Sequence, residues 1–110
     1  MGHEYRKVTA IVRMDQLKRV ENALEDIRVS VVSVTKVKGY GEYKDFFESD
    51  WLADYAHIEI FTGAERAQQI VDALLAAAST GTTGDGIVSV TPVECVWRIR
   101  SRTPAPPEEL

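Results

Sequence analysis

Residues 55–79, YAHIEIFTGAERAQQIVDALLAAAS, change their hydrophobic period midway and so decide the fold. The first seven residues, YAHIEIF, predict a strand. From Ala64 onward the apolar residues recur three or four apart, which predicts a helix over 64–79. The expected buried stripe of this helix consists of Ala67, Ile70, Val71, Leu74, Leu75 and Ala78. The stretch therefore predicts a strand that leads directly into an amphipathic helix.

The same order precedes this stretch, and further strands follow it. RKVTAIVR (6–13) predicts a strand, and DQLKRVENALEDI (15–27) predicts a helix with Asp15 as its N-cap. Leu17, Val20, Leu24 and Ile27 form the apolar face of that helix. VSVVSVTKVKG (29–39), GIVSVTPV (86–93) and CVWRIR (95–100) predict the remaining strands. The order β-α-β-β-α-β is that of an α+β ferredoxin-like sandwich, with four antiparallel strands, both helices on one face and an extra C-terminal strand.

One sheet face of such a sandwich lies open, and apolar residues alternate along all four strands. We therefore expect that face to pack against other subunits in a homo-oligomer, and the alternative is a face polar enough for water. Residues 1–100 are expected to form a single domain. The tail, SRTPAPPEEL (101–110), predicts an extended, mobile end because it is rich in proline and acids.

Composition excludes several classes of partner. The net charge of −4 argues against nonspecific binding of nucleic acid. The chain has one cysteine, Cys95, which allows no internal disulfide and fits a reducing compartment. No apolar run approaches the roughly 20 residues of a membrane span. We expect a cytoplasmic protein that is not inserted in a membrane.

Residues 40–54, YGEYKDFFESDWLAD, are too long for the hairpin loop that the fold requires, because such loops use about 2–5 residues. The segment combines acids with five aromatic residues, Tyr40, Tyr43, Phe46, Phe47 and Trp51. Exposed aromatic side chains favour contact with a partner. The alternatives are a loop that folds back on its own subunit or on a neighbour, and an arm that changes shape with a ligand and contacts a target.

A second unexplained segment is TGTTGDG (80–86), between the second helix and a strand. Its glycines permit positive φ angles and leave N–H groups unshielded, as in a nest for phosphate oxygens. An ordinary turn is the alternative. Arg98 and Arg100, two apart on a predicted strand, point two guanidiniums in one direction, which suits a polyphosphate or carboxylate. For this pair the alternative is surface ion pairing.

Taken together, TKVKGYG (35–41), HIEIF (57–61), TGTTGDG (80–86) and WRIR (97–100) resemble the PII signal-transduction superfamily, over residues 7–102. The resemblance implies a homotrimer of ferredoxin-like subunits that binds adenine nucleotides in clefts between subunits. It also implies that an exposed T-loop, about 41–54 here, adopts shapes that a target protein reads.

Site roles follow from the same resemblance, position by position. The cleft at the base of the T-loop would be lined by Thr35, Val37, Lys38, Gly39, Tyr40 and Gly41. Val12 and Phe61 would form apolar walls near the adenine. Thr83, Gly84, Asp85 and Gly86 would wrap the phosphates from the neighbouring subunit, and Arg98 and Arg100 would pair with phosphate oxygens. The arm that contacts the target would include Glu42, Tyr43, Phe46, Phe47 and Trp51.

Departures from the family pattern predict a change in ligand. Ile87 stands where the family has a lysine after GDG, and Tyr55 or His57 aligns with another lysine that meets the γ-phosphate. Glu42 and Tyr43 replace the arginine and glutamine that help to bind Mg-ATP and 2-oxoglutarate. We therefore expect ADP or AMP to bind at least as well as ATP. This pattern resembles the PII-like branch linked to inorganic carbon, in which a bicarbonate ion would sit near Lys38, Gly41 or His57.

The leading interpretation is a regulator without enzymatic activity that controls a transporter or an enzyme. One alternative is a nitrogen-regulatory PII protein that responds to ATP and ADP. Another is a trimeric ferredoxin-like sensor of metal ions, although the sequence has no metal-ligand spacing. An enzyme is disfavoured because His57 has no neighbouring nucleophile in the sequence.

Overall fold

A computed structural model describes residues 4–29, 32–39 and 53–110. Strand β1 spans Tyr5–Arg13 and is followed by a 3₁₀ turn, Met14–Gln16, and by helix α1, Leu17–Asp26. The next strands are β2, Ser33–Gly39, and β3, Ala53–Gly63. Helix α2, Ala64–Ala78, leads to β4, Gly86–Val93. Two short strands, β5 (Trp97–Arg98) and β6 (Thr103–Pro104), precede a terminal 3₁₀ turn, Pro107–Glu109.

The four longer strands form one antiparallel sheet in the order β2-β3-β1-β4. In its register, Arg13 lies opposite Tyr55, Tyr55 lies opposite Val37, and Val12 lies opposite Gly86. The end of β2, the start of β3, the end of β1 and the start of β4 therefore share one edge of the sheet. This is the predicted α+β ferredoxin-like arrangement, and the fold prediction is confirmed.

The core lies between the sheet and the two helices. Alternate residues of β1 and β3 are buried on this face, as period-2 patterning requires. They meet the buried faces of the helices at Val20, Leu24, Ile70 and Leu74. Burial of each such aliphatic side chain contributes about 1.5–3 kcal/mol, so both predicted helix stripes act as the main packing surfaces.

Several details differ from the sequence-based expectation. Asp15 lies in the 3₁₀ turn and caps no helix, because α1 begins two residues later at Leu17 and no side chain caps it. Leu75 is 53% exposed, whereas Ala77 lies in the buried stripe. Strand β2 begins at Ser33, four residues later than expected, and residues 30–31 lie outside the described part of the chain.

The C-terminal tail packs against the domain, so the expectation of an extended end is wrong. Strand β5 pairs with β6 in a small hairpin rather than with the main sheet. Ala105 is fully buried, and its carbonyl accepts a hydrogen bond of 2.7 Å from the Tyr5 hydroxyl. The guanidinium of Arg66 donates to the carbonyl oxygens of Leu110 and Ile27. These contacts fix the tail beside the start of β1 and α2.

The opposite face of the sheet carries no helix. Its apolar members include Ile11, Val37, Phe61 and Ile87, of which Phe61 and Ile87 are 38% and 48% exposed in the single chain. Threonine and serine side chains lie between them. This is the face that the sequence predicts to be covered by other subunits.

None of the helices in the described ranges has the length and hydropathy needed to cross a membrane.

Candidate functional site

The base of the predicted T-loop and the glycine-rich segment 80–86 lie at the same edge of the sheet. Strand β2 ends at Gly39 and β3 begins at Ala53, opposite one another. Gly86 opens β4 beside the end of β1. The strand register thus brings together, within one chain, two segments that lie about forty residues apart in the sequence. The resemblance implies that residues 83–86 reach the ligand from a neighbouring subunit.

Arg13, the last residue of β1, holds the glycine-rich segment. Its Nε lies 3.1 Å from Oδ1 of Asp85, and its Nη2 lies 3.0 Å from Oγ1 of Thr82. Nη2 also donates to the carbonyl oxygen of Thr83. A planar guanidinium suits this task because its donors leave in fixed directions. Three residues of the segment are therefore fastened to β1.

Asp85 closes the segment into a ring. Its carboxylate accepts hydrogen bonds from the backbone N–H groups of Thr80 (2.8 Å) and Gly81 (3.0 Å) and from the Thr80 hydroxyl, besides the ion pair with Arg13. The Thr80 hydroxyl and N–H, together with Arg13 and Gly81, hold the pKa of Asp85 well below its usual range. The carboxylate is therefore charged, and two of the N–H groups that the sequence suggested for a ligand are occupied by it.

Hydrogen bonds to the Thr83 and Gly84 carbonyls fix the orientation of two further peptides of the segment. The Thr83 carbonyl accepts from Arg13, and the Gly84 carbonyl accepts from the Tyr55 hydroxyl at 3.2 Å. The described peptide bonds are all trans. Across a trans peptide the N–H points opposite to the preceding C=O. The N–H groups of Gly84 and Asp85 consequently point away from Arg13 and Tyr55. Gly84 is buried, and residues 83–84 form a turn that closes between Thr82 and Asp85.

Gly84 and Gly86 occupy positions that other residues would not fit for steric reasons. Gly84 has φ +91° and Gly86 has φ +105°, a region that other residues rarely adopt. A Cβ atom on Gly86 would lie 1.8 Å from the carbonyl oxygen of Ile11. Only glycine allows β4 to begin this close to β1.

At the T-loop base, two lysines share one carboxylate of the same chain. Nζ of Lys38 lies 2.8 Å and Nζ of Lys36 lies 3.3 Å from the carboxylate of Asp54. The hydrogen bond from Lys38, and after it the hydrogen bond from Lys36, lowers the pKa of Asp54 below its usual value. An anion that binds Lys38 must compete with this carboxylate.

Two depressions flank the glycine-rich segment. One, of about 280 Å³, is mostly apolar and lies between α2 and β4, with Leu75, Gly86 and Ile87 in its lining. Val12, which is 1% exposed, contributes to the same lining. The other, of about 230 Å³, lies between Arg13 and Tyr55. Only the first of these two depressions has residues of the segment, Asp85 and Gly86, in its lining.

Phe61 lies elsewhere in the single chain. It is opposite Lys7, on the helix-free face, about 17 Å along the sheet from the level of Val12, which points to the core. One chain therefore does not bring these two predicted adenine walls together.

Arg98 and Arg100 also lie away from the glycine-rich segment. The hairpin that carries them is anchored beside Tyr5, where the Ala105 N–H donates to the Val96 carbonyl. The segment is anchored at Arg13, at the other end of β1, about 26 Å away. Within the described residues, Arg98 pairs with Glu109 at 3.1 Å. Arg100 lies in the turn after β5, so the expectation that both arginines share one strand is wrong.

The remaining predicted site residues divide into two groups. Thr35 and Val37 lie on the helix-free face of β2, and His57 lies beside Thr35, with Nε2 3.9 Å from Glu59. Lys38, an odd number of residues from Thr35, lies on the other face, so Lys38 and His57 do not share a site. Tyr40, Gly41, Glu42, Tyr43, Phe46, Phe47 and Trp51 lie outside the described residues.

Sequence reasoning missed three residues of this edge: Arg13, Tyr55 as a hydrogen-bond donor, and Thr80. Arg13 and Asp85 are 72 positions apart, and no local pattern links them. In the ranges 4–29, 32–39 and 53–110, no three or more His, Cys, Asp or Glu residues are grouped to hold a metal ion.

Comparison with known proteins gives a consistent result over nearly the whole chain. The family described as "Nitrogen regulatory protein P-II" matches residues 5–103. Among curated proteins, nitrogen regulatory protein P-II of Azospirillum brasilense is 33% identical over 103 residues, covering 87% of this chain and 92% of that protein. Nitrogen regulatory protein P-II 1 of Methanothermobacter thermautotrophicus is 37% identical, covering 87% and 90%.

Among solved structures, Arabidopsis thaliana PII bound to citrate superimposes with a TM-score of 0.80. It is 30% identical in sequence, and the match covers 93% of this chain and 89% of that one. The similarity therefore extends from the sequence to the arrangement of the whole sheet and both helices.

Proposed function

Because the chain belongs to the P-II family of nitrogen regulatory proteins, we propose that it is a regulator that binds adenine nucleotides and signals through residues 42–54. P-II proteins are trimeric regulators that act on partner proteins. The nucleotide would lie in clefts between three subunits of this chain. No catalytic step is assigned to it.

The observation that carries this proposal is the orientation of the peptides at Thr83–Asp85. Arg13 and Tyr55 bind the carbonyls of Thr83 and Gly84, so the N–H groups of the same two peptides point away from these side chains. Gly86 lies against the Ile11 carbonyl of β1, which fixes the end of the segment beside them. Backbone donors in such an arrangement bind phosphate oxygens without a charged side chain.

The separation of Arg98 from this segment supports a cleft between subunits. One chain has the N–H groups at the Arg13 end of β1 and the arginines at the Tyr5 end. A second subunit, packed on the helix-free face, would supply Arg98 and Arg100 to the segment. The fit of the site to a nucleotide thus depends on the trimer.

ADP or AMP is the proposed ligand, in preference to ATP. Ile87 offers no cation beside the segment, and Tyr55 is used internally as a donor to Gly84. A γ-phosphate would bring further negative charge, and neither Ile87 nor Tyr55 offers it a matching cation. ATP would therefore lack the charge-assisted hydrogen bonds, which are the stronger ones.

Isothermal titration calorimetry of the trimer with AMP, ADP and Mg-ATP tests this function. We expect ADP or AMP to bind at least as tightly as ATP. Flat traces for all three nucleotides would refute nucleotide binding, whereas ATP affinity about tenfold above that of ADP would refute only the proposed preference, because a tenfold ratio is about 1.4 kcal/mol.

Bicarbonate is the second proposed effector, with a role in inorganic-carbon metabolism. The similar Arabidopsis protein has been solved with citrate, a carboxylate anion. Lys38, at the T-loop base, would bind a small anion in exchange for Asp54. Calorimetry with bicarbonate, in the presence of ADP, should give a signal that Lys38→Gln removes and Lys36→Gln retains.

A nitrogen-regulatory role that responds to ATP and ADP is the alternative function. It is favoured by the curated relatives, which carry that description at 31–37% identity. Titration with 2-oxoglutarate in the presence of Mg-ATP separates the two roles. Binding of 2-oxoglutarate would support the nitrogen role, and binding of bicarbonate would support the carbon role.

A further inference from the structure

Arg98, one of the two arginines proposed to reach the phosphates, is paired with an acid of its own chain. Its Nη1 lies 3.1 Å from Oε1 of Glu109, which belongs to the terminal 3₁₀ turn. The two side chains are 44% and 56% exposed in the single chain, so a ligand can reach both. The carboxylate therefore takes a donor, and balances a charge, that the proposed site would use.

The tail fixes the backbone on both sides of Glu109. Before it, Ala105 is fully buried, and its carbonyl accepts a hydrogen bond from the Tyr5 hydroxyl at 2.7 Å. After it, the Leu110 carbonyl accepts a hydrogen bond from Arg66 at 3.3 Å. An ion pair on a fixed backbone loses less conformational entropy than one that must also order a free segment. The carboxylate is thus held in place before any ligand arrives.

The backbone of Arg98 is fixed as well. Its carbonyl accepts a hydrogen bond from the Arg102 N–H at 2.8 Å, within the hairpin of β5 and β6. The Ala105 N–H donates to the Val96 carbonyl, also at 2.8 Å, and so joins the hairpin to the start of the terminal turn. Arg98 and Glu109 therefore face each other within one packed unit.

The adjacent acid, Glu108, is placed differently. It lines a depression of about 520 Å³ between the tail and the start of α2, together with Glu4 and Glu65. Glu108 and Glu109 carry the same charge on neighbouring residues, but the ion pair to Arg98 comes from Glu109. Comparison of the two acids separates the effect of this ion pair from the effect of the overall charge of the tail.

We propose that Glu109 is an intramolecular competitor of the nucleotide, which its own chain presents to Arg98 and which ADP must displace. Carboxylate and phosphate oxygens both accept the charge-assisted hydrogen bonds of a guanidinium, so they compete for the same group. This inference rests on the proposed nucleotide function and adds a contact that sets its affinity. The tail thereby raises the ADP concentration at which the clefts fill.

Glu109→Gln tests the competition, because it keeps the size of the side chain and removes its charge. We expect the affinity of the trimer for ADP to rise about two- to fivefold, the range that an exposed ion pair can contribute. Glu108→Gln is the matched control and should leave the affinity nearly unchanged. Calorimetry with ADP measures binding, and thermal unfolding verifies that each variant is folded.

Nuclear magnetic resonance shows the displacement in the unmodified trimer. Carbon-13 labelling of glutamate gives a side-chain carboxyl signal for Glu109, which the Glu109→Gln variant identifies by its absence. Saturating ADP should shift this signal, because the carboxylate loses its hydrogen bond from Arg98. A Glu109 signal that saturating ADP leaves in place would overturn the proposal.

The calorimetric outcomes distinguish the competition from the function on which it rests. If the unmodified protein binds ADP and Glu109→Gln binds it no more tightly, the competition is refuted and nucleotide binding stands. An equal gain in Glu108→Gln would also refute it, because the effect would then belong to the charge of the tail. If neither the unmodified protein nor Glu109→Gln gives a signal with ADP, the proposed function fails, and the competition fails with it.

Discussion

At the scale of single residues, the decisive group is Asp85, which binds the backbone of its own loop. Its carboxylate receives hydrogen bonds from Thr80 and Gly81 and an ion pair from Arg13. The phosphate contacts predicted from the resemblance are the N–H groups of residues 83–86, and an ordinary turn is the alternative for the motif read alone. The structure shows that Thr80 and Gly81 donate to Asp85 and so stabilise the loop, while the N–H groups of Gly84 and Asp85 point away from Arg13 and Tyr55.

Asp85→Asn should therefore destabilise the fold in a pH-dependent way. The folded-state pKa of Asp85 lies below its usual value, so the charged form stabilises the fold above about pH 4. This stabilisation is lost as the pH falls through the lowered pKa. Urea unfolding at pH 7 should show the variant to be less stable, and the difference should shrink near pH 3. Glu25→Gln, on the exposed face of α1, serves as the control.

Ile87→Lys should alter the ligand preference. The side chain of Ile87 is half exposed in the single chain and lies beside the phosphate segment, at the proposed cleft between subunits, so a lysine there adds a cation to that cleft. We expect ATP affinity relative to ADP to rise about tenfold, since bonds to charged groups contribute about 1.5–3 kcal/mol. Calorimetry measures the ratio, with Ile87→Met as the uncharged control. An equal gain for AMP would contradict the assignment of a γ-phosphate contact.

At the scale of elements, the hydrophobic period predicted the strands and helices correctly, but it did not predict the start of α1 or the packing of the C-terminal tail. Periodicity located α2 because Ile70 and Leu74 pack on the sheet, a property visible in the sequence itself. It failed for the tail because the polyproline composition gives no sign of the pocket for Ala105, which Tyr5 helps to form from the other end of the chain. Asp15 failed as a cap because a 3₁₀ turn precedes the helix.

Because the tail packs against Gly63, a larger side chain at this position should lower the stability of the fold. A Cβ atom there would lie 2.5 Å from the Pro107 carbonyl oxygen, so Gly63→Ala must displace the tail. We expect a loss of about 1–3 kcal/mol in the free energy of unfolding, as for other overpacked sites. Denaturant unfolding measures it. In a chain that ends at Arg102 the same substitution should cost much less, and an equal loss in both chains would contradict tail docking at this point.

At the scale of the whole molecule, the proposed site is divided between two subunits. The helix-free face bears Ile11, Val37, Phe61 and Ile87, which a partner must cover for the arginines to reach residues 80–86. Sedimentation should therefore give a mass of about three times 12.3 kDa, the trimer being a closed cyclic assembly.

Mixed trimers test the division directly. A chain with Arg98→Ala and Arg100→Ala, and a chain with Gly84→Ala, which strains a φ of +91°, should each fail to bind ADP. After unfolding and refolding at equal ratio, about one quarter of the clefts should combine intact parts from both chains, because each subunit is drawn independently into a cyclic trimer. ADP stoichiometry measures this recovery. A site complete within one chain would show no recovery.

The sequence by itself determined the family, the order of the elements and the motifs that we propose to bind the ligand. Hydrophobic period and glycine spacing are local properties, and they remain readable without knowledge of the fold. They identified the glycine-rich segment and the base of the T-loop as parts of one predicted cleft, and the register of the sheet places both at the same end of it within a single chain.

Only the tertiary structure decided which side chains hold that segment. Arg13 meets Asp85 and Tyr55 meets Gly84 because strand register places distant positions side by side. Register depends on the burial of a whole sheet face, not on any short motif, so these partners left no local signal. The tail looked mobile in the sequence because its contacts, such as the one between Tyr5 and Ala105, join positions 100 residues apart and also leave no local signal.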